Sequence, residues 1–333
     1  MTEPLVLAAR QWVVLQSAPP SALHPLVVAF SGGADSTALL HVAQRCWPGA
    51  VHAVHINHGL QAAAADFERH CQQVCSAWGL PLRVVRPCVR VSPGDSVEAV
   101  AREHRYTALT EAARDLNASG VWMAHHADDQ LETLLLALSR GAGVPGLAAM
   151  PSSWVLDGVR FGRPWLALPG AALKSHVEAH GLPHIVDPTN ADLRFTRNRI
   201  RLQVLPVLRE VFPSMAQTVS RTARHCAQAS RLLDALAADD LLAAGEPPRL
   251  RALQALPSDR LANALRLWLR RCSAKGPSAA QLDQLMKQVL AATTRGHRLE
   301  LRVAQGRVCR VGDGLKYVPD ATGVGGQEKT SPD

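Results

Sequence analysis

Short apolar runs alternate with longer amphipathic stretches through the first 140 residues. Leu26–Phe30 (LVVAF), Val51–Ile56 (VHAVHI), Leu82–Val89 and Val121–Ala124 (VWMA) have the length and β-branched character of strands. Between them, Asp35–Cys46, Ala62–Trp78, Ser96 to about Asn117, and Asp129–Arg140 read as helices. Gly79 and Gly141 stand just past two of those helices as stop signals, and Ser96 is placed to cap a third. Strand–helix alternation implies right-handed crossovers, hence a parallel sheet with helices on both faces.

The pattern weakens after Gly141. Gly141, Gly143, Pro145 and Gly146 mark a loop, Val159–Phe161 a short strand, and Leu173–His180 a helix ended by Gly181-Leu182-Pro183. Residues 192–212 are Arg-rich. A long helix is expected over Ser214–Ala244, broken by Gly245–Pro248, then helices near 257–272 and 278–292 and a β-rich end at 298–318. The expected fold is α/β, a doubly wound, mostly parallel sheet with a helical linker and a smaller α+β C-terminal domain. The expected boundaries are 1–212, 213–245 and 246–319, with a flexible tail over 320–333.

Composition narrows this picture. Among 333 residues, 47% are hydrophobic and 19% charged, enough to build cores and too apolar for a disordered chain. No apolar run approaches the ~18 residues of a membrane span. Glu3 precedes any basic residue and Arg10-Gln11 interrupt the first apolar stretch, unlike a secretory signal. Seven irregularly spaced cysteines without a C-x-x-C pair exclude a zinc ribbon and make a disulfide framework a poor fit, so a cytoplasmic protein is expected. The net charge of +8 is uneven: residues 1–150 hold 10 Arg against 12 acids, whereas 151–333 hold 26 Lys+Arg against 16 acids. An excess confined to one half points to a polyanion partner.

Ser31-Gly32-Gly33-Ala34-Asp35-Ser36 follows the first strand and opens a helix. Glycines allow close backbone approach, and the free N–H groups and dipole of a helix start attract phosphate. The loop lacks the Gly-Lys-Ser/Thr of a Walker loop, since no Lys occurs before Lys174, and it lacks G-x-G-x-x-G. It resembles the PP-loop of the N-type ATP pyrophosphatases, which implies ATP as the phosphate donor and adenylation as the chemistry.

After the fourth strand comes His125-His126-Ala127-Asp128-Asp129-Gln130-Leu131-Glu132. A helix starting near Asp129 puts Asp129 and Glu132 on one face, with Asp128 as its cap. Carboxylates at a strand's carboxyl end lie where open α/β sheets bind ligands, and they suit either Mg²⁺ on a triphosphate or a substrate ammonium. The competing reading is an N-cap with first-turn acids. His55 and Asn57, in His55-Ile56-Asn57-His58-Gly59-Leu60, end the second strand beside the same crevice, compatible with adenine or ribose contact. Glu98 and Arg102 are spaced to pair along a helix surface.

In order, SGGADSTALL (31–40), HINHGL (55–60), SVEAVAREHRYTAL (96–109), AHHADDQLETLLLALSRGAGVPGLAAM (124–150), RPWL (163–166), EAHGLP (178–183) and DPTNADLRFTRNRIRLQVLPVLRE (187–210) resemble the tRNA(Ile)-lysidine synthetases. Leu256-Pro257, Leu265–Leu269 and Pro277-Ser278-x-x-Gln281 resemble that family's first C-terminal domain more loosely. The resemblance implies ATP-dependent ligation of free L-lysine to carbon 2 of the wobble cytidine in tRNA-Ile with anticodon CAU, through an adenylated cytidine. It implies that Ser31, Gly32, Gly33, Ala34, Asp35 and Ser36 hold ATP, with His55 and Asn57 beside it. Asp35, Arg105, His125, Asp129 and Glu132 are implied as catalytic, and Asp35 and Asp129 as Mg²⁺ ligands. Arg194, Arg197, Arg199 and Arg201, in a segment of net charge +6, are implied as tRNA contacts, and a homodimer is compatible. The rivals are another PP-loop tRNA-modifying enzyme, such as a cytidine thiolase, and an inactive RNA-binding relative. A thiolase is disfavoured by the missing C-x-x-C pairs, and an inactive relative by the retained Asp35, Asp129 and Glu132.

Overall fold

A computed structural model describes residues 3–16, 18–57, 59, 64–87, 97–273, 276–294 and 297–320. The expected cap at Ser96, the Glu98–Arg102 pair, His58 and the tail beyond 320 lie outside the described residues or side chains. The chain divides into two compact units, Met1–Ala227 and Gln228–Asp333. The division falls inside a helix, within the stretch expected to link two domains.

The first unit opens with α1 (Pro4–Gln16), then runs β1 (Leu26–Ala29), α2 (Ala34–Cys46), β2 (Val51–Ile56), α3 (Ala64–Ala77), β3 (Leu82–Val85), α4 (Val97–Asp115) and β4 (Gly120–Trp122). It continues through α5 (Ala127–Ser139), α6 (Val144–Leu147), β5 (Ser153–Leu156), β6 (Val159–Gly162) and α7 (Gly170–Ala179). The Arg-rich stretch becomes α8 (Thr196–Arg199), one π turn (Ile200–Val204) and α9 (Leu205–Val211), leading into α10 (Met215–Ala244).

The sheet order is β3-β2-β1-β4-β6-β5, parallel except for β5 against β6. Order reverses between β1 and β4, which pair Leu26 with Gly120 and Val28 with Trp122. A crevice outside the carboxyl ends of those two strands is the expected ligand site of such a sheet. β1 is apolar throughout because both its faces are covered. Leu26 and Val28 join α1, α2 and α7 residues in one core, while Val27 joins Leu109 of α4, Val121 and Phe161 in another.

Several features differ from the sequence expectations: Val144–Leu147, expected as loop, forms α6, and the third strand ends at Val85 rather than running to Val89. Helix α1 was not expected, yet Leu5, Ala9, Trp12 and Val13 form its buried stripe at helical spacing. Strand β5 was missed, although Asp157-Gly158, both at positive φ, form the tight turn of a β5–β6 hairpin. Helix α5 begins at Ala127 with His126 as its cap, two residues before the expected start.

The second unit adds α11 (Leu250–Gln254), α12 (Ser258–Cys272), α13 (Ala279–Ala291), β7 (Glu300–Val303), β8 (Gly306–Val311) and β9 (Gly314–Pro319). Ser278 and Gln281 make a reciprocal capping box at the start of α13. Leu261, Leu265 and Leu269 of α12 pack with Leu282, Leu285 and Val289 of α13 and with Val303, Val308 and Leu315 of the antiparallel sheet.

Candidate active site at the carboxyl edge of the sheet

The loop after β1 is organised by its hydroxyls. Ser36 Oγ donates to the Gly33 carbonyl (3.0 Å), accepts from the Ser31 amide (3.2 Å), and lies 3.0 Å from Ser31 Oγ. Gly33 caps α2 with no side chain over the helix start. The opening amides therefore remain available to an anion. Gly32 sits at φ +83°, and a Cβ there would lie 3.1 Å from Cys71 Sγ and His70 Cδ2, so glycine meets both the conformational and the steric demand. Its carbonyl accepts from the Ile185 amide at 2.9 Å, bringing the 184–190 segment to the loop.

Two cavities meet here. One of about 350 Å³ is lined by Ser31, Asp35, Ser36, Arg105, His125 and Asp129. The other, about 620 Å³, is lined by Ser31, Gly33, Ala34, Asp35, Ser36, His55, Asn57, Arg105, Asp187 and Arg201. Most of the expected ATP and catalytic residues thus face one continuous region, and Arg105 borders both cavities. His55 is buried against the Phe30 carbonyl (2.9 Å), and burial pushes its pKa down. Asn57 shapes the loop after β2, donating to Glu68 (2.9 Å) and accepting from the Gly59 amide (2.9 Å).

His126 is the hub that sequence reasoning passed over. Its Nε2 lies 3.6 Å from Asp35 Oδ2 and 3.5 Å from Asp129 Oδ2, and its Nδ1 lies 3.6 Å from Asp128 Oδ2. Burial alone would depress its pKa; the surrounding Asp35, Asp129 and Asp128 outweigh burial and raise it to about 9. The three carboxylates thus favour its protonated form. When neutral, its Nδ1 instead accepts the Asp128 amide (3.3 Å) as the helix cap. Asp129 completes the capping box, accepting from the His126 amide at 3.0 Å. The adjacent pair His125-His126 was the available signal.

His125 has the opposite environment. Its Nδ1 accepts from Arg163 Nε (3.1 Å), so its own proton resides on Nε2. Burial first, then Arg163 and neighbouring arginines, hold its pKa well below normal. Arg163 is itself buried, donating to the Pro151 carbonyl (2.7 Å) and Tyr106 hydroxyl (3.1 Å), with its guanidinium 4.1 Å from the Trp154 ring centre. Sequence reasoning did not single out Arg163.

Glu132 is 1% exposed and lies between two arginines. Arg201 Nε and Nη2 meet its two oxygens at 2.6 and 2.9 Å, a bidentate fork. Arg197 Nε stands 3.2 Å from Glu132 Oε2 while its Nη2 donates to Thr133 at 2.7 Å. Burial raises the Glu132 pKa, against the lowering effect of Arg201. Arg201 also reaches Asp129 Oδ1 at 3.4 Å. Two of the four arginines expected to contact tRNA are thus turned into the carboxylate cluster. Arg194 is exposed and forks onto Asp192, and Arg199 is exposed. Asp128 accepts from the Gly170 amide at the start of α7 (2.8 Å) and pairs with Arg209 (3.0 Å).

Comparisons with known proteins match both parts of the chain. A PP-loop domain model matches residues 8–208, and a TilS substrate binding domain model matches 249–315. A tRNA(Ile)-lysidine synthase of Polaromonas naphthalenivorans is 53% identical over 90% of this chain and 91% of its own. One from Burkholderia pseudomallei is 43% identical over 80% of this chain, which spans only 56% of that longer relative. The solved U34-tRNA thiolase NcsA from Methanococcus maripaludis superposes with a TM-score of 0.56 at 14% identity, covering 66% of this chain and 77% of that one. At that identity the likeness concerns the fold alone.

Proposed function

The chain belongs to the tRNA(Ile)-lysidine synthase family, and on that premise we propose how its residues form lysidine on tRNA-Ile. One observation carries the assignment of roles. The glycine loop after β1 and the carboxylate cluster after β4 meet at His126, on adjacent strands where the sheet order reverses.

ATP lies along the loop, its phosphates held by the amides of Gly32–Ser36 and by the Ser31 and Ser36 hydroxyls. Oxygen 2 of the wobble cytidine attacks the α-phosphorus and pyrophosphate leaves. The lysine amine then attacks carbon 2, the bond from that carbon to the adenylate oxygen breaks, and AMP departs. Arg105, bordering both cavities, offsets the negative charge that develops on the phosphoryl oxygens. Neutral His125 offers an Nε2–H donor without adding a charge. Asp35 and Asp129 fit a hard divalent cation, since both are oxygen donors approaching the same His126 nitrogen. Bound Mg²⁺ would neutralise phosphate charge there.

Asp129 and Glu132 receive the lysine ammonium. The ammonium competes with Arg201 and Arg197 for the same oxygens, and Asp129 takes its proton before attack. Among the arginines, Arg194 and Arg199 hold the tRNA backbone from the exposed side, while Arg197 and Arg201 work inside the cluster.

The decisive test mixes protein, ATP, Mg²⁺ and labelled L-lysine with either tRNA-Ile bearing CAU or the methionine tRNA with the same anticodon. Label entering only the former, with AMP released, is the expected result. AMP formed without lysine incorporation would retain the adenylation and discard the nucleophile.

A further inference from the structure

A second histidine–carboxylate cluster lies at the other end of α7. Helix α7 places His176 and His180 one turn apart on the same face, and α1 brings Glu3 against them. We propose that Glu3, His176 and His180 form a binding site for a divalent transition metal of the zinc class, which pins α1 to α7.

Ligand spacing is the first argument. One donor atom from each residue can be chosen so that all three lie within 4.8 Å of one another. Glu3 Oε2 is 3.2 Å from His176 Nδ1, and Glu3 Oε1 is 3.6 Å from His180 Nε2. Donors held ~2.0–2.1 Å from a tetrahedral ion are separated by about 3.4 Å. Two imidazoles and one carboxylate suit zinc better than Mg²⁺ or Ca²⁺, which prefer oxygen shells.

The second argument is the hydrogen bonding behind the donors. His180 Nδ1 donates to the His176 carbonyl at 3.0 Å, leaving the Nε2 lone pair facing Glu3. His176 Nε2 lies 3.0 Å from His41 Nδ1; donation to His41 leaves the Nδ1 lone pair facing Glu3. Both tautomers required for ligation are thus compatible with the partners behind them, which is the usual support of a metal-bound histidine. His41 is a positioning residue, not a ligand.

Arg45 is the competitor. Its Nη1 lies 3.2 Å from Glu3 Oε1 and 3.3 Å from His180 Nε2. It is half-exposed, with solvent on its open side. An incoming ion displaces it, so removing its charge should tighten binding.

The test uses the full chain without an affinity tag, stripped of metal and titrated with Zn²⁺ against a chromophoric chelator. One tight ion per chain is expected, with a rise in Tm on addition of Zn²⁺. Co²⁺ in its place should give the intense visible absorption of a four-coordinate ion. His180→Ala, at a partly exposed position, should fold normally and lose the tight ion, with affinity falling more than about 100-fold; His41→Gln should weaken it about 10–100-fold. Arg45→Ala should strengthen it. The absence of a tight ion in both wild type and Arg45→Ala would overturn the proposal, as would equal Zn²⁺ stoichiometry and affinity in wild type and His180→Ala.

Discussion

The two ends of α7 hold the same residue types in opposite electrostatic regimes. At its start, His126 has three carboxylates, Asp35, Asp128 and Asp129, within 3.6 Å of its ring nitrogens. Near its other end, Glu3 is shared among His176, His180 and Arg45, with His41 behind them, and base outnumbers acid. The first arrangement raises a histidine's pKa and favours its cationic form. The second, by burial first, lowers the pKa of His176 and His41 and so favours the neutral imidazole, the form that binds transition metals. Residue type alone therefore does not assign a role; the count of neighbouring charges does.

The largest expected effect separates the two clusters by activity. Asp35→Asn and Glu132→Gln should each lower AMP formation by at least about 100-fold, the scale of losing one electrostatic contact to a transition state. Asp35→Asn should leave the unfolding midpoint unchanged, whereas Glu132→Gln, which removes the buried partner of Arg201 and Arg197, should also lower it, so its turnover is compared well below that midpoint. Wild-type turnover in either variant would remove that residue from the mechanism.

Next comes α7, one of two helices that run between the clusters, the other being α2 with Asp35, His41 and Arg45. Gly170, its first residue, donates to Asp128, and a Cβ there would lie 2.6 Å from Asp128 Oδ2 and 2.8 Å from His126 Cε1. His176 follows six residues later, about 9 Å along the axis. Gly170→Ala should cost about 1–3 kcal/mol in denaturant unfolding. It should also slow turnover about 10–100-fold by shifting Asp128 and the His126 hub. Unchanged turnover would show that the cluster tolerates displacement.

Much of this was legible in the chain itself. The alternation of LVVAF and VHAVHI with helical segments carried the parallel sheet, and SGGADS and HHADDQLE located both halves of the site. What escaped depended on long-range pairing. Arg197 and Arg201 sit more than 60 residues from Glu132, and nothing in a run of arginines says which of them turn inward. The cap of α5 was misplaced because Asp128 is the stronger capping residue by type; His126 serves instead, and Asp128 turns to Gly170. The β5–β6 hairpin carried its own sign in Asp157-Gly158, but strands of four residues give little periodicity.

The opposite titrations give a third, smaller effect, measured with no divalent ion present. The folded state holds the His126 pKa near 9 against an ordinary 6.5. Its stabilisation is complete below about pH 6.5 and is lost as pH rises through about 9. For His41, burial first, then His176, His180 and Arg45, lower the pKa to about 4. Its stabilising contribution is present above pH 6.5 and is lost as pH falls toward 4. Histidine NMR should place the two midpoints on opposite sides of neutrality. His126→Gln should flatten the alkaline limb of the stability profile and His41→Gln the acid limb. Two midpoints near 6.5 would erase the electrostatic contrast between the clusters.

The smallest effect tests whether the clusters are independent. In metal-free protein, Glu3→Gln removes one partly exposed carboxylate shared by Arg45, His176 and His180. Exposed ion pairs contribute little, so the loss should stay below about 1 kcal/mol at neutral pH. AMP formation should not change, because no catalytic group touches Glu3. If turnover instead fell with stability intact, two single elements would connect the clusters: α2, which carries Asp35, His41 and Arg45, and α7, which runs from Gly170 to His176. Were α7 the route, Gly170→Ala would be expected to reproduce the defect from the opposite end, and the two substitutions combined should show less than additive losses.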